Sequence, residues 1–158
     1  MTALIQRLRK EEKGLTLIEL LAVIVIIGVI AAIAVPLITG LINNTKDNAR
    51  TATANQILEA AKLYSIANNN GEVTGEVTLL TLTSNNYLQG NITDPKDGKA
   101  LASGTTVNLT NYGVEDAVVV TLAFDDKSTE TYTTEQLKSG KKGKAGTGTP
   151  AEGTEGGK

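Results

Sequence analysis

From Leu20 to Ile38 the chain runs for 19 residues without a charge or a hydroxyl group. As a helix, at about 1.5 Å of rise per residue, that run covers roughly 28 Å, the thickness of a hydrocarbon core. It has no polar side to give to water, so whatever the chain folds into must provide this segment with an apolar surrounding. The overall composition hides it, because an apolar fraction of 41% is ordinary for a soluble protein. The rest of the 158 residues is rich in Thr, Asn and Gly, with enough Val, Leu and Tyr for a small core.

Charge divides at the same place. Residues 1–14 carry Arg7, Arg9, Lys10 and Lys13 against Glu11 and Glu12, a net +2, and the remainder carries 11 positive and 15 negative charges, a net −4. Basic residues ahead of an apolar span retain that end in the cytoplasm, which places the C-terminal part outside. An outside domain could use disulfides, but the chain has no Cys. With no His either, the common zinc, haem and thiol chemistries are excluded. No glycine-rich phosphate loop and no nucleophile constellation is present, so no catalytic residue and no cofactor are assigned. Asp94, Asp97, Asp125 and Asp126 are candidate calcium ligands by type, but their spacing is not that of an EF-hand, and no metal site is assigned.

Three readings compete for the N-terminus. A secretory signal peptide would find a small-residue cut site at Ala32-Ile33-Ala34, but the apolar stretch continues through Leu37-Ile38 to Leu41-Ile42. A plain anchor fits the length and leaves Glu19 unexplained. The third reading accounts for it. "KGLTLIELLAVIVIIGVIAAIAVP", Lys13 to Pro36, resembles the class III signal of type IV pilins. In that family a prepilin peptidase cuts after a glycine on the cytoplasmic side of the apolar segment and methylates the new terminus. The resemblance implies cleavage between Gly14 and Leu15, with N-methylation of Leu15. Leu15 departs from the phenylalanine with which most members begin, but is still a large apolar residue. The resemblance also implies an assembly role for Glu19: neutralising the α-amine of a neighbouring subunit. A helix start carries unsatisfied N–H groups and partial positive charge, so an acid there is also locally favourable. The competing account of Glu19 is a carboxylate snorkelling to the headgroups.

Gly28, Pro36 and Gly40 are candidate helix breaks. Proline removes one backbone bond and clashes with the preceding turn, and glycine weakens a helix by about 1 kcal/mol. The family resemblance implies local loss of helix there in filaments; an ordinary kink is the alternative.

Beyond Ile42, Ala54, Ile57, Leu58, Ala61 and Tyr64 fall at helical spacing on one face, with Lys46, Asp47, Arg50, Glu59 and Lys62 mostly elsewhere. Asn68-Asn69-Asn70-Gly71 is a stop, with Gly71 suited to a left-handed cap. A helix from Leu15 to about Ala67 would be roughly 80 Å long. Leu79, Leu82 and Tyr87 suggest a short helical turn in preference to an extended segment, and Asp94-Pro95-Lys96-Asp97-Gly98 a turn. Three strands follow: "GTTVNLTNY" alternating through Val107 and Leu109, "DAVVVTLAFDD" with Val118, Val120, Leu122 and Phe124 on one face, and "STETYTTEQL" alternating through Tyr132. From Lys138, seven glycines in 21 residues without periodicity predict disorder. Lys141, Lys142 and Lys144 there offer contacts to phosphate or nucleic acid, with a solvated tail the simpler account. Asn43, Asn91 and Asn108 open glycosylation sequons of a kind common by chance in an Asn- and Thr-rich chain. "PLITG" is only superficially similar to a sortase signal: the order is wrong and it lies in the apolar segment.

The expected fold is α+β: a long N-terminal helix whose second half packs on a small antiparallel sheet of about three strands. The expected organisation is a leader at 1–14, a membrane and assembly segment at 15–42, a globular head at 43–137 and a disordered tail at 138–158. The resemblance implies a structural subunit, not an enzyme. It would enter the cytoplasmic membrane with its N-terminus inside, meet the prepilin peptidase, the assembly machinery and lipid, and then polymerise with its own copies into a surface filament. The missing cysteine pair is closer to Gram-positive or competence-type systems than to disulfide-looped pilins. A type II secretion pseudopilin or minor pilin, and a membrane-anchored extracellular binding domain, are the alternatives.

Overall fold

The computed structural model describes residues 16–147. The chain divides between Ile42 and Asn43 into two units. One helix, α1 (Leu17–Asn68), begins in the first unit and ends in the second.

In the first unit the backbone is helical from Leu17 onward, and α1 passes through Gly28, Pro36 and Gly40 without interruption. The loss of helix that the resemblance implies at these residues concerns the filament, not the single chain. Proline costs the helix one N–H donor, while the Ile-, Val-, Leu- and Ala-rich flanks supply the bonds on either side. The Thr39 hydroxyl donates to the Val35 carbonyl at 2.9 Å, within the turn that holds Pro36.

The second unit is an α+β head. After α1 come β1 (Glu76–Thr78), α2 (Leu79–Ser84), β2 (Thr106–Asn108), a 3-10 turn (Leu109–Asn111), β3 (Val118–Ala123), β4 (Ser128–Thr133), α3 (Thr134–Ser139) and β5 (Lys144–Thr147). The five strands form one antiparallel sheet in sequence order, a meander throughout. Ile57 of α1, Leu82 of α2 and Val107, Leu122 and Tyr132 of the sheet are fully buried together, and this is the core. The helical face read from Ala54, Ile57, Leu58 and Ala61 is the buried one, with Tyr64 partly buried against it. Leu79 and Leu82 do lie on a short helix, opened by the Thr78 hydroxyl, which accepts from the Thr81 N–H at 3.2 Å.

At the end of α1 Asn70 (φ 52°) and Gly71 (φ 92°) both take positive φ, and the Gly71 N–H donates to the Ile66 carbonyl at 3.0 Å. The stop lies where the sequence predicts it, but the left-handed turn opens on Asn70, one residue before the expected Gly71. The turn at Asp94–Gly98 is closed by the Gly98 N–H on the Asp94 carbonyl at 2.8 Å, with Gly98 at φ 76°.

Three expectations are corrected. The sheet has five strands where about three were expected: β1 and β5 are edge strands of three and four residues, too short to show alternation. Val118 is 38% exposed while Val119 is 1% exposed, because the register slips between Val118↔Thr133 and Val120↔Tyr132. A bulge inserts the extra residue and turns Val118 off the core face. The third correction concerns the tail. Residues expected to be disordered from Lys138 include the end of α3 and all of β5, which pairs Thr129↔Gly146 and Glu130↔Ala145. Two of the glycines that suggested disorder, Gly143 and Gly146, have a packing role here. A Cβ on Gly143 would stand 2.7 Å from Tyr132 Cζ and 2.8 Å from the Thr131 carbonyl. The remainder of the expected tail, from Gly148, lies outside the described residues.

Candidate functional site

The first unit is defined by what its helix leaves uncovered. Every large apolar side chain from Leu17 to Ile42 is exposed, Leu17 at 88% and Ile33 at 68%. Moving one such side chain out of water contributes about 1.5 to 3 kcal/mol, so the segment as a whole strongly favours an apolar environment. α1 is the one helix among the described residues long and apolar enough to cross a membrane. A helix apolar all round is covered on all sides, by lipid or by other helices. A Cβ on Gly28 or Gly40 would meet nothing within 4 Å, so no contact within this chain requires glycine at either place.

Glu19 lies in the first turn of α1. Its Oε2 accepts from the Thr16 N–H at 2.8 Å and from the Thr16 hydroxyl at 2.9 Å. The Glu19 N–H in turn faces Thr16 Oγ1 at 3.3 Å. Thr16-Leu17-Ile18-Glu19 is thus a capping box, in which residues three apart satisfy each other's orphan groups at a helix start. The box fixes the carboxylate at the N-terminal end of the apolar surface, through a single oxygen. Gly14 and Leu15, where cleavage and methylation are expected, lie outside the described residues. Thr16 has no part in the reading from sequence, although the Thr-x-x-Glu signature ahead of an apolar run was there to be found.

The second unit holds a buried charged cluster that the sequence reading missed. Arg50, placed by periodicity among residues away from the core face, is only 8% exposed. Its Nε donates to Asp94 Oδ1 at 2.7 Å, its Nη2 to Asp94 Oδ2, and its Nη1 to Glu130 Oε2 at 2.6 Å. The guanidinium also lies 4.2 Å from the Phe124 ring centroid. Tyr132 donates to Glu130 Oε1 at 2.8 Å. Burial works against ionisation of Asp94, but the hydrogen bonds from Arg50 outweigh it and hold this carboxyl below the usual range. Burial, reinforced by Glu130, pushes the Tyr132 hydroxyl above its ordinary value.

The four aspartates considered for calcium do converge. Asp94, Asp97, Asp125 and Asp126 line one crevice of about 20 Å³ with Lys99 and Phe124. Asp94 is engaged by Arg50, Asp97 accepts from the Lys99 N–H at 3.0 Å, and Asp126 accepts from the Ser128 N–H at 2.9 Å. Among the described residues no three His, Cys, Asp or Glu side chains are arranged to hold a metal ion.

Residues 9–35 match the family model described as the prokaryotic N-terminal methylation motif, in agreement with the resemblance read over Lys13 to Pro36. The chain is 34% identical over 73 residues to the type IV wide pilus major component PilA4 of Thermus thermophilus. That match covers 46% of this chain and 55% of the relative, so the chain spans about half the length of the relative it matches. No solved structure gives a significant match.

Proposed function

We propose that this chain is a type IV pilin: a structural subunit, not an enzyme, that polymerises with its own copies into a filament on the bacterial surface. The observation that carries this reading is the bare apolar helix of α1 with a fixed carboxylate at its entrance, inside a methylation motif. The same side chains serve two surroundings in turn. In the precursor they lie in lipid, with the basic residues ahead of them on the cytoplasmic side and the head outside. In the filament they lie against the helices of neighbouring subunits.

Processing precedes assembly. A prepilin peptidase cuts between Gly14 and Leu15 and methylates Leu15, and the membrane assembly machinery then draws the subunit from the bilayer. The new α-amine of one subunit and Glu19 of another form the ion pair that lets both charges enter an apolar bundle. Unpaired, each would cost several kcal/mol. The capping box supports this role, because it holds the carboxylate at the helix start by one of its two oxygens.

The test is electron microscopy of material sheared from cells, with mass spectrometry of its main band. Thin filaments composed chiefly of this chain, starting at Leu15, are the expected result. A chain that remains wholly in the membrane fraction, or one starting at Met1 or Val35, would overturn the proposal.

A further inference from the structure

Four residues beyond Ile42, the last apolar residue of the long run, α1 carries Lys46. Lys46 lines an open pocket of about 320 Å³ with Asn43, Asp47, Lys96 and Lys142. Three separate parts of the chain converge there: α1, the Asp94–Gly98 turn, and the segment between α3 and β5. Three ammonium groups therefore surround a single carboxylate, leaving a surplus of two positive charges.

The arrangement is held from within. The Lys46 ammonium donates to the Lys96 carbonyl at 3.0 Å. The Lys96 ammonium contacts Asp47 Oδ1, and the Lys142 ammonium lies 3.1 Å from Asp47 Oδ2. Lys96 and then Lys142, against the opposition of burial, keep the Asp47 carboxyl below its usual range, so it remains charged and continues to draw the two lysines together. An ammonium has three N–H bonds. Among the described residues, the hydrogen bonds and ion pairs at each of these three engage one partner, so each ammonium keeps further N–H bonds to offer at the lining of an open pocket. That is the environment of an oxyanion.

Chain position selects the oxyanion. Ile42 to Lys46 is about 6 Å of helix, one turn. With the apolar run in a bilayer, Lys46 stands at the depth of the headgroup phosphates on the outer face. We propose that this pocket binds the phosphate of an anionic lipid headgroup while the chain is anchored in the membrane. The inference rests on the membrane part of the proposed function and is independent of filament formation.

The full-length chain is placed in phosphatidylcholine nanodiscs containing a minority of phosphatidylglycerol, extracted in neutral detergent, and its retained lipid is counted by native mass spectrometry. Lys46→Gln/Lys96→Gln/Lys142→Gln is expected to reduce the phosphatidylglycerol-bound fraction at least about fivefold. Lys62→Gln/Lys99→Gln/Lys127→Gln, with the same loss of charge elsewhere on the head, is expected to reduce it less than about twofold. Lys46→Gln leaves both Asp47 ion pairs in place and is expected to reduce retention about twofold or more, which keeps the inference testable should the triple variant fold poorly. Equal losses in both triple variants, or unchanged retention in Lys46→Gln, would overturn it. Binding of inorganic phosphate by the detergent-held chain without lipid retention would overturn the assignment to lipid, as would binding of a single-stranded oligonucleotide alone. A chain that does not enter the nanodiscs would overturn the membrane reading as well, whereas insertion without pocket-dependent retention overturns the pocket alone.

Discussion

The Arg50 guanidinium donates to the Glu130 carboxylate at 2.6 Å, joining α1 to β4 across 80 residues of sequence. With Asp94 on its other edge and Phe124 beneath it, Arg50 fixes which parts of the turn and sheet meet the helix. Taking one member from such a cluster leaves its partners buried and charged, at a cost of about 3–5 kcal/mol. A fragment beginning at Asn43 is expected to be soluble and folded, since the apolar run is gone and the whole core remains. In that fragment Arg50→Met should lower the unfolding free energy by about that amount, read by urea denaturation. A loss below about 1 kcal/mol would mean that water reaches the carboxylates in solution.

The parts of the fold legible in the sequence are those where burial is one-sided and periodic. Ala54, Ile57, Leu58 and Ala61 announce a helix face, and Val107 and Tyr132 announce strands, because each sits at a repeat of 3.6 or 2. The bulge at Val119 broke that repeat, and the edge strands β1 and β5 were too short to show one. Arg50 was illegible for a different reason. Its partners lie 44 and 80 residues away, and a lone arginine on a helix carries no local mark of a distant carboxylate. At the N-terminus, Glu19 stood out by the cost of a charge in an apolar run. Thr16 went unread, although the spacing that makes it a cap was in view.

Stability of the head fragment is expected to fall at both ends of the pH range. The folded pKa of Asp94 is depressed, so its contribution is present above the ordinary carboxylate value near 4 and is lost as pH falls through the folded value. The folded pKa of Tyr132 is raised, so its contribution is complete below the ordinary tyrosine value near 10 and is lost as pH climbs towards the folded value. Urea midpoints measured from pH 2 to pH 11 check both limbs. Arg50→Met should flatten the acid limb, and Tyr132→Phe the alkaline one.

Gly143 tests the corrected view of the C-terminal segment. A Cβ at this position would lie 2.7 Å from Tyr132 Cζ, so alanine there must push the ring or β5 aside. Overpacking of this kind costs about 1–3 kcal/mol. Gly143→Ala in the head fragment should therefore lower the thermal midpoint, and ending the fragment at Gly140 should lower it further by removing β5. A midpoint unchanged by both would return the segment to the disorder predicted from its composition.

The last prediction concerns Glu19 and Thr16 together. If Glu19 neutralises a neighbour's amine, Glu19→Ala should still insert in the membrane, and its leader should still be cut, because Gly14 and the basic residues before it are intact. Each incoming subunit would then bring an unpaired amine into an apolar bundle at a cost of several kcal/mol. Since about 1.4 kcal/mol is tenfold in an equilibrium, sheared filament should fall by well over tenfold. Glu19→Asp should be intermediate, keeping the charge on a shorter arm. Thr16→Val retains the backbone N–H that holds Oε2 and loses the hydroxyl, a loss of about 1 kcal/mol in the cap. It should reduce filament less than Glu19→Ala, and Thr16→Ser should restore it. The measurement compares mature chain in the membrane with chain in sheared filaments, in cells lacking the native copy, since wild-type neighbours could carry a variant into the filament. Normal filaments from Glu19→Ala would leave the carboxylate with a local task only: capping its own helix and lying at the headgroups.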